Sequence, residues 1–343
     1  MNHHMLKEIH EQPDALRRTL HEEENIRKIA KVLAEKEYRF YLFGCGSSYY
    51  ICLCGKFALE TIAGADAHAT PSSEFYEYPP PEAGGGTVAV GVSRSGETSE
   101  TVRAIDEANR LGALTVGVTN TGGSSLARKS RLAIMVNAGE ERSIIMTKTF
   151  TTQVYSLQLL ALLYAEEAGK DVGRLLREAR RIPELAGETL NLEEKMREAA
   201  LNCNAEKFVF LGGGPCYGAC LEGSLKLKET SYVHSEAYHP LELRHGPMAT
   251  VDEKTLVLAL APKKVGREYV ELLREVRENG ARVLAVACEA GVPADETVRT
   301  PRVDEALSPV VQVIPLQLFA YHYCVGRGLN PDAPRHLRKV VKL

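Results

Sequence analysis

Apolar residues recur at helical spacing near the start of the chain, at Leu6, Ile9, Leu16, Leu20, Ile26, Ile29 and Leu33, which predicts a helical segment over 6–38 broken at Pro13. The period then changes. Short apolar runs at 40–43, 88–92, 114–118 and 132–136 predict strands, and stretches near 49–63 and 99–111 predict helices between them. Residues 147–167 form a long apolar stretch, as expected of a buried helix. Strands alternating with helices define an α/β class, a parallel sheet with helices on both faces. Residues 169–200 are charged and helical, punctuated by Gly169, Pro183 and Gly187, and read as a connector.

After the connector the pattern begins again. Val209-Phe210-Leu211-Gly212-Gly213-Gly214 repeats the register of Tyr41-Leu42-Phe43-Gly44-Cys45-Gly46 at an offset of 168 (212 − 44). Thr255 stands opposite Thr87, Gly280 opposite Gly112 and Glu242 opposite Glu74, each at the same offset of 168. One spacing at four landmarks marks an internal duplication, two tandem copies of one α/β unit. The expected boundaries are a helical segment 1–38, a first domain 39–168, the connector 169–200, a second domain 201–329 and a tail 330–343.

Chemistry gathers first where a strand meets a helix. The stretch Ser93-Arg94-Ser95-Gly96-Glu97-Thr98 lies between the apolar run 87–92 and a helical pattern. Free backbone N–H groups and the positive end of a helix dipole point into such a loop, three hydroxyls add donors, and Gly96 permits close approach. A small phosphate suits it; an ordinary helix cap is the plainer alternative. A second hydroxyl-rich loop, Gly44-Cys45-Gly46-Ser47-Ser48, shifts the balance, because both loops open at the carboxyl edge of one parallel sheet. In the second copy the counterpart of Ser93–Thr98 is Ala261-Pro262-Lys263-Lys264-Val265-Gly266, so the cradle is expected once per chain.

Dinucleotide and P-loop readings fail. Gly44-Cys45-Gly46 continues to Tyr49 and Gly212-Gly213-Gly214 to Tyr217 where a third glycine is needed, and there is no Gly-Lys-Ser/Thr. Of the 343 residues 44% are hydrophobic and 25% charged, and the net charge is −3 with a pI near 6.4, which argues against a nucleic-acid partner. No run reaches the ~18–20 apolar residues of a membrane span and no leader pattern opens the chain, so a cytoplasmic location is expected, without a membrane partner. The eight cysteines, Cys45, Cys52, Cys54, Cys203, Cys216, Cys220, Cys288 and Cys324, make no paired zinc motif and are expected as free thiols. No metal or cofactor is implied.

The second copy carries a dense polar stretch, Leu225-Lys226-Leu227-Lys228-Glu229-Thr230-Ser231-Tyr232, followed by Ser235-Glu236-Ala237-Tyr238 and Glu242-Leu243-Arg244-His245-Gly246-Pro247. With Pro215 in the first turn of a helix, Glu222, Lys226 and Glu229 share one face. A solvated ion-pair ladder is the plain explanation; a site beside the glycine-rich loop is the sharper one.

The paired loops Gly-Cys-Gly-Ser-Ser and Ser-Arg-Ser-Gly-Glu-Thr resemble the phosphosugar-binding loops of the sugar isomerase (SIS) domain family, implying two tandem SIS domains. The opening 6–13, the polar stretches of the second copy and the tail Ala333-Pro334-Arg335-His336-Leu337-Arg338-Lys339-Val340 resemble, within that family, the isomerase domain of glucosamine-6-phosphate synthases. The run 144–150 looks more like the stand-alone deaminases. Carried over, the resemblance implies that Ser47, Ser48, Ser93, Ser95 and Thr98, with Arg94 between them, hold a sugar phosphate. It implies Glu229 as the carboxylate moving a proton between C1 and C2, with Lys226 tuning it. His245 assists ring opening from a neighbouring subunit, and Lys339 serves as a Schiff-base amine. Lys339 as a plain tail charge and His245 as a turn residue are the alternatives.

Three positions depart from the synthase pattern: Arg94 replaces Gln, Met146 replaces Ser and Arg338 replaces Ala. The chain begins at the isomerase-like half, without the glutaminase half that supplies ammonia. The expected activity is therefore glucosamine-6-phosphate deamination to fructose 6-phosphate and ammonia, in a homodimer or higher homo-oligomer. The alternatives are the reverse reaction with free ammonia, a fructosamine-phosphate deglycase, and a phosphosugar sensor without catalysis.

Overall fold

The computed structural model describes residues 3–263 and 265–339; Lys264, Val340 and the rest of the tail lie outside them. The chain divides into two compact units. The first comprises Glu11–Glu141, Met146–Pro183 and Arg338–Leu343, and the second Met1–His10, Arg142–Ile145 and Glu184–Leu337.

The first unit is built on five parallel strands, β1 (Arg39–Gly44), β2 (Asp66–Pro71), β3 (Thr87–Val92), β4 (Leu114–Thr119) and β5 (Leu132–Met135), in the order β2-β1-β3-β4-β5. Every residue of β3 is buried, which accounts for its unbroken apolar run. Tyr41, Phe43, Phe75, Ala89 and Ile105 form one core cluster, and the rings of Phe43 and Phe75 lie 4.6 Å apart. Burying each phenylalanine contributes about 1.5–3 kcal/mol. The helix Lys148–Glu167 is buried from Lys148 to Ala165 and packs against Glu23–Ala34 and Ser47–Ala58.

The second unit repeats the design with β6 (Lys207–Leu211), β7 (Ser235–Tyr238), β8 (Thr255–Ala261), β9 (Arg282–Ala287) and β10 (Glu296–Arg299), all parallel, in the order β10-β9-β8-β6-β7. The duplication is visible in the register. Arg39 pairs with Thr87 in the first sheet and Lys207 with Thr255 in the second, both displaced by 168 (207 − 39 and 255 − 87). Phe40 opposite Ala67 recurs as Phe208 opposite Ser235, at the same offset of 168 (235 − 67). Only the last strand slips. Leu132 pairs with Val116, whereas Glu296 pairs with Leu284, so β10 lies 164 residues after β5 (296 − 132). The helix Pro309–Gly326 is buried from Pro309 to Cys324 and packs on Cys216–Ser231 and Glu193–Leu201.

Several local expectations change. The opening segment is three helices, His4–His10, Gln12–Leu20 and Glu23–Ala34, and Pro13 lies in the first turn of the second, where its missing N–H costs nothing. The helix expected near 49–63 runs Ser47–Ala58 and ends in a π-turn, Leu59–Ala63. The edge strands β2, β7 and β10 are additional: β7 and β10 have four residues each, and β2 has six, with no apolar run. The connector forms the helices Gly173–Ala179, Ile182–Leu190 and Glu193–Leu201. None of the eight cysteines forms a disulfide, and no helix among the described residues is long and apolar enough to cross a membrane.

Candidate functional site

In the first unit, β1 and β3 are adjacent and parallel, so the loops that leave them open on one edge of the sheet. Gly46, at φ +54°, turns the chain into the helix Ser47–Ala58, whose first two residues are the nearly buried Ser47 and Ser48. The Ser48 N–H donates to the Cys45 carbonyl (3.1 Å). The next two N–H groups, of Tyr49 and Tyr50, both donate to the Gly46 carbonyl (2.9 and 3.2 Å), so the turn closes on Gly46.

The loop after β3 is a tighter hydroxyl cluster. The Ser93 and Thr98 hydroxyls lie 3.0 Å apart, the Gly96 N–H donates to Ser93 Oγ (3.1 Å), and the Glu97 N–H donates to Ser95 Oγ (3.1 Å). Gly96 adopts φ +66°, and a Cβ there would lie 2.1 Å from Ser124 Oγ, so only glycine closes this turn. Glu97 folds back and accepts from the Ser125 N–H (2.8 Å) and hydroxyl (2.9 Å). Thr98 is the extended residue ahead of the helix Ser99–Leu111. The outcome is a hydroxyl-lined helix start able to take a small anion. Its counterpart after β8 begins with Ala261, Pro262 and Lys263, and the Lys263 ammonium is bound to Glu305 (2.6 Å).

Arg94 turns out of this loop. One guanidinium nitrogen lies 3.2 Å from Glu141 Oε2, and the other donates to the Lys339 carbonyl (3.1 Å). The Lys339 ammonium in turn donates to the backbone carbonyl of Glu141. Glu141 is only 3% exposed and its other oxygen accepts from the Thr147 N–H (2.9 Å), the Thr147 hydroxyl (3.1 Å) and the Thr149 N–H (3.2 Å). Burial by itself would raise the Glu141 pKa; the Arg94 charge and these hydrogen bonds outweigh it and hold the carboxyl below its ordinary value. Glu141 was missed from the sequence, where only its position two residues after Gly139 and beside Glu140 marked it.

The second unit carries the expected row of charges on the helix Cys216–Ser231. Lys226 Nζ lies 2.9 Å from Glu222 Oε1 and 2.8 Å from Glu229 Oε2. The side chains of Glu222 and Lys226 are 0% exposed and that of Glu229 is 19% exposed, so this is no solvated ladder. Burial would lower the Lys226 pKa, but the two carboxylates outweigh it and hold the ammonium above its ordinary value. Close packing keeps the row dry: a Cβ on Gly223 would meet Leu316 at 2.7 Å and Phe210 at 2.8 Å. Of the three side chains, Glu229 alone reaches the surface. At the same offset the first copy has Cys54, Ala58 and Thr61 in place of Glu222, Lys226 and Glu229.

His245 follows the short 3₁₀ turn Pro240–Arg244 and is exposed, its N–H bound to the Glu242 carbonyl (3.0 Å). Nearby His239 stacks on Tyr217 with ring centroids 4.0 Å apart, and burial lowers its pKa despite the Glu242 charge. No cluster of metal-ligating side chains occurs among the described residues.

Comparison with known proteins places these features. The SIS domain family model matches residues 33–163 and again 203–326, one match per sheet. The glutamine–fructose-6-phosphate aminotransferase (isomerizing) of Thermus thermophilus is 38% identical over 99% of this chain and 58% of its own length. That of Clostridium tetani is 36% identical over 99% of this chain and 59% of its own. The chain thus spans less than two thirds of these aminotransferases. Among solved structures, the C-terminal domain of the glucosamine-fructose-6-phosphate aminotransferase of Francisella tularensis matches with a TM-score of 0.89 at 29% identity, over 97% of this chain and 99% of that one. The glucosamine-6-phosphate deaminase of Thermotoga maritima matches with a TM-score of 0.81 at 31% identity, over 99% of this chain and 100% of that one. With the family model matched twice, once on each five-stranded sheet, the chain belongs to the SIS domain family.

Proposed function

We propose that this protein is a glucosamine-6-phosphate deaminase, an enzyme converting glucosamine 6-phosphate and water to fructose 6-phosphate and ammonia. The observation that carries the reading is Glu229, the one partly open carboxylate in an otherwise buried carboxylate–lysine–carboxylate row. A carboxylate so placed is suited to shuttle a proton between neighbouring carbons. The likeness to the Thermotoga deaminase supports the direction of the reaction.

In this reading Ser47, Ser48, Ser93, Ser95 and Thr98 take the phosphate and fix the sugar's orientation. His245 helps open the ring, and Glu229 carries the proton from C2 to C1, leaving an imine at C2. The Lys339 amine adds at C2 and expels ammonia; water then adds, releasing fructose 6-phosphate and restoring the amine. The active form is a cytoplasmic homodimer or higher homo-oligomer. The likeness to aminotransferase isomerase domains favours a second reading, the same chemistry run toward glucosamine 6-phosphate with free ammonia.

The test is ammonia release from a panel of amino-sugar 6-phosphates, with fructose 6-phosphate plus ammonium assayed in reverse. Release from glucosamine 6-phosphate is the expected result. Tight binding of phosphosugars without turnover in either direction would replace the enzyme by a sensor.

A further inference from the structure

We propose that Arg94 and Glu141 form a clasp that positions Lys339, and that Arg94 serves the tail rather than the sugar phosphate. The inference deepens the proposed deaminase reading, in which Lys339 supplies the amine.

Three observations within the first unit carry it. Arg94 lies between two loop hydroxyls, yet its guanidinium spans Glu141 (3.2 Å) and the Lys339 carbonyl (3.1 Å). Its own carbonyl accepts from the Asn120 N–H (3.1 Å) and the Thr119 hydroxyl (3.1 Å), which pins the residue at both ends. Glu141 is fixed by Thr147 and Thr149 on one side and takes the Lys339 ammonium on its backbone carbonyl. The tail lysine is thereby gripped at two points, main chain and side chain, by two residues that hold each other.

The charge balance points the same way. The Arg94 and Glu141 side chains are 12% and 1% exposed, so they face each other largely out of water. A phosphate drawing on Arg94 would have to compete with a buried carboxylate, whereas hydroxyls and helix N–H groups carry no such debt. The planar guanidinium makes both contacts at once through separate N–H groups. An ammonium in its place keeps the charge but loses the fork. Glutamine, the residue expected here from the synthase pattern, offers one amide and no charge.

The experiment compares the wild-type enzyme with Arg94→Ala and Arg94→Lys by amide hydrogen exchange of the peptide containing Lys339 and by steady-state kinetics with glucosamine 6-phosphate. If the clasp operates, exchange of that peptide rises about tenfold in Arg94→Ala, kcat falls by about tenfold or more, and KM stays within about twofold. Arg94→Lys, which preserves the Glu141 pairing, lowers kcat while leaving unfolding by urea near wild type. Borohydride reduction in the presence of fructose 6-phosphate reads the amine itself: labelling of Lys339 in wild type falls in both variants. A raised KM with unchanged tail exchange overturns the clasp and returns Arg94 to the phosphate. Absent labelling in wild type overturns the amine role of Lys339, while the exchange data still decide the clasp.

Discussion

The Lys226 ammonium lies 2.8 Å from the Glu229 carboxylate, and of the two only Glu229 reaches the surface. The lysine therefore braces the carboxylate from the buried side, and the opposite side faces solvent. Glu229→Gln keeps the shape and removes the base. It is expected to cut ammonia release from glucosamine 6-phosphate by about 10²–10⁴-fold while binding of a non-reactive phosphosugar persists. Near-normal turnover would remove Glu229 from the mechanism.

Lys226 has a second duty, which is stability. Lys226→Met removes the ammonium that lies 2.9 Å from Glu222, at a site that is 0% exposed. Removing one partner of such a buried pair costs about 3–5 kcal/mol. Urea unfolding should show a loss of that order, and the double variant Lys226→Met with Glu222→Leu should recover part of it. A single-variant loss below about 1 kcal/mol, the range of surface pairs, would mean that water reaches the row.

The hydroxyl cradle is tested through Ser95, whose oxygen closes the turn on the Glu97 N–H. Ser95→Ala should weaken phosphosugar binding by about 1.5–3 kcal/mol, the range for hydrogen bonds to a charged group. Titration calorimetry with a non-reactive phosphosugar measures it directly. Unchanged affinity would point to an ordinary helix cap.

An assembly in which His245 serves a neighbouring subunit makes a kinetic prediction. Glu229→Gln and His245→Ala, each inactive alone, should regain part of the activity when refolded together, because some mixed sites would hold neither lesion. Mixtures that stay inactive would place both residues in a site built from a single chain.

Acid should release the clasp. Arg94 and its hydrogen-bond partners hold the Glu141 pKa below its ordinary value of 4.5, so the native state binds fewer protons there than the unfolded chain. Its contribution is present in full above pH 4.5 and fades as pH falls through the lowered native value. The stability gap between wild type and Glu141→Gln should be constant from neutral pH to about pH 5 and narrow below it. A gap that does not change with acid would show that the carboxylate charge is not what Glu141 contributes.

Much of the fold was legible because buried parallel strands are uniformly apolar: β3 and β8 announce themselves, and their spacing exposes the duplication. Of the edge strands β5 was legible, whereas β2, β7 and β10 were not. In β10 only Val298 is buried, and four residues with one apolar contact carry no periodicity. Helical spacing put Glu222, Lys226 and Glu229 on one face, but a solvated ladder has the same spacing. Burial depends on packing between distant segments, as at Gly223 on the same helix, where Leu316 and Phe210 approach closely. Arg94 and Glu141 illustrate the other gap. They lie 47 residues apart, and no local rule pairs an arginine in one loop with a carboxylate in another.

The exchange of Glu222, Lys226 and Glu229 for Cys54, Ala58 and Thr61 bears on how the gene can change. Each repeat carries polar groups that the other lacks, so the two are not spare copies of one another. Recombination that overwrote one repeat with its sister would leave a chain able to pair its strands in the old register and yet without one half of its chemistry. The pairing register is thus what the repeats still share, and the side chains at these positions are what sets them apart.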